Sequence, residues 1–165
     1  MQLCIAPTMK LGTVIAKKCG SFPTLIVVEI LVAGVVFGSS YLPNFTCTYD
    51  NNVAFVFVFG IGIGGLAGLT FLIPLIECNT YIEGKRMHVN GVILTGTGLG
   101  SLIFGQFVYN YLNPLHLPSN EGYYDENLQY IAEQVPECLR WLSLLYLAIG
   151  VTGAFMMLPI IRKNK

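Results

Sequence analysis

The stretch at residues 53–76, VAFVFVFGIGIGGLAGLTFLIPLI, decides the fold of this 165-residue chain. It holds no charged side chain and is long enough to cross a bilayer, which takes about 20 apolar residues of α-helix. Lipid offers the backbone no hydrogen-bonding partners, so a segment of this kind must satisfy its own backbone groups as a helix. The stretch therefore predicts a transmembrane helix.

Three further apolar runs have the same character, at about residues 22–42, 89–112 and 139–161. None shows the alternating pattern of a membrane barrel strand. A fifth apolar segment, residues 1–16, is too short and too interrupted to span, and we interpret it as the end of a helix. The predicted fold is an all-α membrane protein, with four transmembrane helices plus a short N-terminal apolar helix in a single domain over residues 1–165.

The bulk composition agrees with a membrane protein and excludes several other classes. Hydrophobic residues make up 54% of the chain and charged residues 11%, whereas a soluble domain carries about 25% charged residues. The formal net charge is zero, so no basic surface is available for the phosphates of a nucleic acid. Neither histidine has partners at metal-ligand spacing, and no Ser–His–Asp set or ATP-binding loop is present. We expect neither an enzyme nor a metal or cofactor site.

Basic residues mark one side of the predicted membrane spans. Of the nine, only Arg140 falls on the opposite side, where the loops are neutral to acidic. Cytoplasmic loops of membrane proteins carry an excess of Lys and Arg, so we expect both termini in the cytoplasm and the loops at residues 39–52 and 113–138 outside. The eight residues on the cytoplasmic side are Lys10, Lys17, Lys18, Lys85, Arg86, Arg162, Lys163 and Lys165.

A row of glycines lies on one face of the second span. Gly60, Gly64 and Gly68 are four residues apart, and small residues at this spacing let the backbones of two membrane helices approach closely. We therefore expect this row to press against a neighbouring helix. A nucleotide-binding reading of the similar glycines in the third span fails, because that motif needs a preceding strand and a polar site.

Residues 84–104 resemble a segment of the major facilitator superfamily, most closely its oxalate/formate antiporter and monocarboxylate transporter branch. In that family a basic residue after helix four leads into a glycine-rich helix five. Here Gly84, Lys85 and Arg86 lead into the run Gly96 to Gly100.

Residues 12–20 resemble the same family's loop between helices two and three. The matching positions are Gly12, Lys17, Lys18 and Gly20. The family motif usually carries an acidic residue just before its basic one, and Ala16 occupies that place here.

The resemblance implies that residues 1–16 end helix two and that the four spans are helices three to six of a six-helix repeat. Such transporters rock two halves about a midplane site, so the chain would be an incomplete N-terminal half. The implied substrate is a small monocarboxylate or dicarboxylate anion. The implied partners are the lipid bilayer and either a second transporter half or the rest of a longer chain, which would supply the basic residues that bind the anion.

Small and polar side chains within the spans are the candidates for a substrate pathway. Hydroxyl groups in lipid usually bond to their own helix backbone, so simple helix packing remains the alternative for each. The candidates are Gly62 and Gly65 in the second span and Thr95, Thr97 and Gln106 in the third.

Glu29 is the one charged side chain in the middle of a predicted span. Carboxylates in a membrane are costly and often functional. Pairing with Lys17 or Lys18 is the favoured interpretation, and a proton or substrate role is the alternative.

The outer loop at residues 113–138 supports two further expectations. Residues 125–135 have the spacing of a short surface helix, which Pro136 should end. Cys138 and Cys47 both fall outside, where we expect two free thiols, with a disulfide as the alternative.

Two functions remain open from the sequence. The first is a fragment or half of a secondary transporter for a small carboxylate. The second is a small four-span structural subunit of a membrane complex that does not transport.

Overall fold

The computed structural model describes residues 2–42, 49–82, 84–114, 116 and 128–163. These residues form five α-helices, and no strand occurs among them. The helices are α1 (Gln2–Cys19), α2 (Ser21–Ser39), α3 (Tyr49–Tyr81), α4 (Arg86–Leu112) and α5 (Leu128–Lys163).

Four of these helices contain a segment long and apolar enough to cross a membrane: Ser21–Ser39, Val53–Tyr81, Arg86–Leu112 and Glu133–Arg162. The four predicted spans are confirmed, and the chain is a multi-pass integral membrane protein. Several boundaries differ from prediction, and the largest difference is that the fourth span begins at Glu133 rather than at residue 139. The first span ends at Ser39 rather than at residue 42, and the second continues through Pro74 to Tyr81.

The predicted loop at residues 12–20 is mostly helical. Gly12, Lys17 and Lys18 all lie inside α1, which continues to Cys19. Gly20 alone separates α1 from α2, with φ 94°, a backbone conformation that glycine adopts without a steric penalty. The turn between these two helices therefore depends on a single glycine.

Pro136 does not end a short surface helix, so that prediction was wrong. It lies inside α5, a single helix of 36 residues. Proline removes one backbone donor and crowds the preceding turn, but Cys138, Leu139 and Leu142 on the next turn are buried against Val36 of α2. Burial of these side chains holds the helix together across the proline. Residues 125–127 of the predicted helix lie outside the described residues.

Two apolar clusters hold α2 against α5. In one, Leu25 of α2 packs with Ala154 and Ile161 of α5, together with Ala16 and Ile73. In the other, Val36 packs with Cys138, Leu139 and Leu142. Residue numbers rise along α2 as they fall along α5, so the two helices are antiparallel. The first cluster lies at the bundle end where α1 meets α2 and α3 meets α4, which we call the basic end.

The closest helix contacts are made by glycines, though not by the whole predicted row. Gly64 and Gly68 are buried, as expected, but a side chain at Gly60 would meet open space, so that part of the prediction was wrong. Two tight contacts of α3 with its neighbours are Gly12 of α1 against the backbone of Leu69, and Gly62 against the side chain of Val35 of α2. A methyl group at Gly62 would lie 2.9 Å from Val35 Cγ1.

Helix α4 lies at the edge of the bundle. None of its residues is buried, and Leu102 and Ile103 are each 67% exposed. It is attached at both ends by side chains: Asn79 Nδ2 of α3 donates a 2.7 Å hydrogen bond to Asn90 Oδ1, and the ring of Phe104 packs on that of Tyr146 with centroids 5.3 Å apart. Most of the α4 surface is thus free to meet lipid or another protein segment.

Candidate functional site

A cavity of about 230 Å³ opens at the basic end, where α1, α2, α3 and α5 come together. Its wall is apolar on the α5 side and polar where α1 ends and α2 begins. The lining residues are Thr13, Ala16, Lys17, Gly20, Ser21, Ile73, Ile76, Glu77 and Ile161. The cavity thus includes Lys17 and Gly20, two of the positions that resemble the transporter loop motif.

Glu77 supplies the carboxylate of this cavity. The Ser21 hydroxyl at the first turn of α2 donates a 2.5 Å hydrogen bond to Glu77 Oε1 near the end of α3. The N-cap residue of α2 is Gly20, which has no capping side chain. A carboxylate near a helix N-terminus is stabilised by the exposed N–H groups and the helix dipole. Glu77 therefore joins the ends of α2 and α3 electrostatically as well as by the hydrogen bond.

Glu77 was not among the predicted site residues. Ala16 stands where the family motif places an acidic residue, and the carboxylate of the cavity comes from α3 instead. Ser21 and Glu77 are 56 positions apart, so no local spacing could have paired them. Only the antiparallel packing of α2 and α3 brings the carboxylate to the same cavity as Lys17.

A second cavity, of about 410 Å³, lies between α3, α4 and α5 on the far side of the bundle from the basic end. Its wall is largely aromatic and aliphatic, with three weakly polar side chains: Ser101, Cys138 and Tyr146. The remaining lining residues are Phe59, Phe104, Gly105, Val108, Leu112, Val135, Leu139 and Leu142.

The predicted pathway residues do not share either cavity. Gly62 packs on Val35, and a methyl group at Gly65 would meet Thr8 Cγ2 at 3.9 Å, so both glycines serve helix contacts. Thr97 donates a 3.0 Å hydrogen bond to the carbonyl of Ile93 in its own helix. Thr95, Thr97 and Gln106 are all exposed on α4.

The two basic residues of the motif at residues 84–104 lie at the start of α4. Lys85 is the N-cap residue and Arg86 the first helical residue, and both are exposed. Gly84 precedes them with φ 80°. These charges lie at the same end of the bundle as Lys17 and Lys18, as an up-and-down arrangement of the spans requires.

Within the described residues, no three His, Cys, Asp or Glu side chains are placed to share a metal ion. Most of the described Lys and Arg side chains lie at or near the ends of the candidate spans. Lys10 is an exception, because it lies in the middle of α1 between Thr8 and Gly12, which pack against the middle of α3, and its side chain is exposed.

Comparison with known proteins gives one informative relative. The chain is 28% identical over 161 residues to apicoplast pyruvate carrier 1 of Toxoplasma gondii, and the match covers 90% of this chain. It covers 28% of the relative, so the chain spans little more than a quarter of that carrier's length. No family model matches the chain, and no solved structure matches it.

The relative is named as a carrier and not as an enzyme. Its name states that it carries pyruvate, which is a monocarboxylate. The name favours neither an antiporter nor a dicarboxylate.

Proposed function

We propose that this chain is part of a secondary transporter that moves a small monocarboxylate of the pyruvate class across a membrane. The observation that carries the proposal is the match to a pyruvate carrier over nearly the whole chain, in a protein with four candidate spans. Several families of membrane protein have four spans, so the span count alone would not suffice.

We further propose that α1 to α5 correspond to helices two to six of a major facilitator repeat. The order of elements supports this assignment: a short helix precedes four spans, a glycine turn links the first two helices, and a basic pair starts α4. In this arrangement both termini and the basic end face the cytoplasm. The proposal also makes Lys17, Lys18, Gly20, Lys85 and Arg86 parts of the cytoplasmic motifs, and Gly12 a packing residue of the helix before them.

We propose that the exposed face of α4 lines the substrate pathway. Thr95, Thr97 and Gln106 lie on this helix, which is open to a further protein segment because none of its residues is buried. A carboxylate in a membrane needs cationic or dipolar partners. The four candidate spans place no Lys or Arg there, and Lys10 lies on α1 rather than on α4, so we expect a second half to supply the charge that faces α4.

A chimera tests the transport proposal. Residues 1–165 replace the matching segment of the Toxoplasma carrier, and uptake of radiolabelled pyruvate is measured in proteoliposomes. The control is the carrier with that segment deleted. We expect saturable pyruvate uptake by the chimera and none by the control.

The alternative is a structural subunit without transport activity. A chimera that is folded and inserted, yet takes up no more pyruvate than the deletion control, would contradict our proposal and favour this alternative. The low burial of α4 is compatible with either function, because it provides a surface for any membrane partner.

A further inference from the structure

Glu29 lies in the contact between α2 and α5, which we call the α2–α5 seam. It is between the two apolar clusters. By helical rise it is about 12 Å from the first residue of α2 and about 15 Å from the last. Leu25, one turn before it, belongs to the cluster at the basic end. Val36, two turns after it, belongs to the other cluster. Glu29 is therefore a polar group within an otherwise apolar stripe that faces α5.

Gly150 of α5 makes room for this side chain. A methyl group at residue 150 would overlap the carboxyl of Glu29, and it would also lie 2.8 Å from Glu29 Cγ. Any residue other than glycine at position 150 would thus force the Glu29 carboxyl group to move. The pairing of a carboxyl on one helix with a glycine on the other defines a small polar site.

The predicted pairing of Glu29 with Lys17 or Lys18 does not occur. Both lysines are exposed, and no ion pair or hydrogen bond joins Glu29 to another described side chain. On α1, Lys10 lies in the middle of the helix with an exposed side chain. The other described charged or titratable groups on the helices packed against α2 lie towards the helix ends or in other contacts. On α1 they are Lys17, Lys18 and Cys19; on α3 they are Glu77, Cys78 and Tyr81; on α5 they are Tyr130, Glu133, Glu137, Cys138, Arg140, Tyr146 and Arg162.

The two groups on α5 nearest Glu29 along the bundle are already engaged elsewhere. Tyr146, one turn from Gly150, packs its ring on Phe104 of α4. Arg140 lies over the ring of Tyr41, 5.2 Å from its centroid, about 15 Å along α5 from Gly150. Neither offers a counter-charge to a carboxylate in the seam.

An unpaired carboxylate in such surroundings loses its hydration without gaining a partner, whereas the protonated carboxyl carries no charge and is far less costly. We propose that Glu29 is a proton-binding group in the α2–α5 seam, and that it is the site at which hydrophobic carbodiimides modify this chain. This proposal does not rest on the transported substrate, because it follows from the seam alone.

The modification reports protonation directly. The carboxyl oxygen attacks the central carbon of dicyclohexylcarbodiimide while the carboxyl proton passes to a nitrogen, giving an O-acylisourea. Migration of the acyl group to nitrogen then yields a stable N-acylurea that contains every atom of the reagent. Only the protonated carboxyl supplies the proton, so the yield follows the protonated fraction.

The experiment labels the purified full chain in detergent or liposomes with dicyclohexylcarbodiimide across a pH series and locates the adduct by peptide mass spectrometry. We expect the adduct on Glu29 at neutral pH, with a yield that falls as the pH rises. Glu29→Gln should abolish it. Glu77→Gln, which removes a carboxyl from the basic-end cavity, should leave it unchanged.

Labelling of the unaltered chain keeps the test independent of any folding defect in the variants. An unlabelled Glu29 in folded protein at neutral and mildly acidic pH would overturn the proposal, as would a yield that does not change with pH. The labelling experiment does not measure transport. The proposed function can therefore fail while Glu29 is still labelled, and Glu29 can remain unlabelled while the chimera transports pyruvate.

Discussion

Gly12 of α1 lies directly against the backbone of Leu69 of α3. A methyl group at residue 12 would overlap the Leu69 carbonyl oxygen and would lie 2.7 Å from its carbonyl carbon. A backbone atom cannot rotate aside as a side chain can, so the two helices would have to separate. This contact fixes α1, which is not among the candidate spans, against the candidate span of highest mean hydropathy.

We therefore expect Gly12→Ala to destabilise the bundle. Alanine gains about 1 kcal/mol of helix propensity over glycine, but overpacking a close contact costs about 1–3 kcal/mol. A net loss of stability follows, measurable as a lower midpoint of thermal aggregation in detergent by size-exclusion chromatography.

Gly98→Ala is the matched control for Gly12→Ala. Gly98 is also within a helix, and a methyl group there would meet open space. This variant should be as stable as the parent or slightly more stable. Equal behaviour of the two variants would show that α1 and α3 are not in close backbone contact.

The hydrogen bond between Ser21 and Glu77 should contribute to the stability of the basic end. Hydrogen bonds to charged groups are worth about 1.5–3 kcal/mol, so we expect Ser21→Ala to lower the free energy of unfolding by an amount in this range or somewhat below it. Unfolding in sodium dodecyl sulfate, followed by tryptophan fluorescence of Trp141, would measure the change. Ser101→Ala is the control, since the Ser101 hydroxyl donates to the Thr97 carbonyl of its own helix. An equal loss of stability in both variants would argue against the hydrogen bond between Ser21 and Glu77.

Cysteine labelling checks the orientation. Cys19 is exposed at the end of α1, beside Lys17 and Lys18. We expect a membrane-impermeant maleimide to label Cys19 in permeabilised cells and not in intact ones. Cys138 is buried, so it should react slowly from either side. Labelling of Cys19 in sealed cells would reverse the topology.

Substitutions on α4 test the proposed pathway in the chimera with the Toxoplasma carrier. Thr97→Val and Gln106→Leu remove exposed polar groups while preserving size, and we expect each to reduce the initial rate of pyruvate uptake by up to about tenfold, which corresponds to about 1.4 kcal/mol. Leu102→Ile on the same exposed helix is the control and should not change the initial rate of pyruvate uptake. Unaltered uptake in both polar variants, at equal protein levels, would remove α4 from the pathway.

The isolated chain should not transport. A carboxylate crossing the bilayer needs a cationic or dipolar partner, and the described spans supply no Lys or Arg for this purpose. We expect liposomes that contain residues 1–165 alone to take up no pyruvate above protein-free liposomes. Saturable uptake would mean that copies of the chain assemble a complete pathway by themselves.

The four spans could be predicted from the sequence because hydrophobicity acts locally. About 20 apolar residues in a row partition into lipid whatever else the chain does, and the backbone then has to be helical. The segment at residues 53–76 shows this most clearly. The basic residues favour an orientation for the same reason, since each loop contributes its own charges.

The tertiary structure decided which of these residues meet. Whether Gly60 or Gly62 contacts a neighbour depends on how α3 is rotated against α2, and glycine spacing alone cannot supply that rotation. Pro136 is tolerated because Cys138 and Leu139 are buried against Val36 of α2. This packing outweighs the tendency of proline to end a helix. Glu29 opposite Gly150 and Ser21 beside Glu77 are contacts between residues far apart in the chain. Such pairs arise from the packing of whole helices, and the sequence by itself determined only that those helices exist and lie in the membrane.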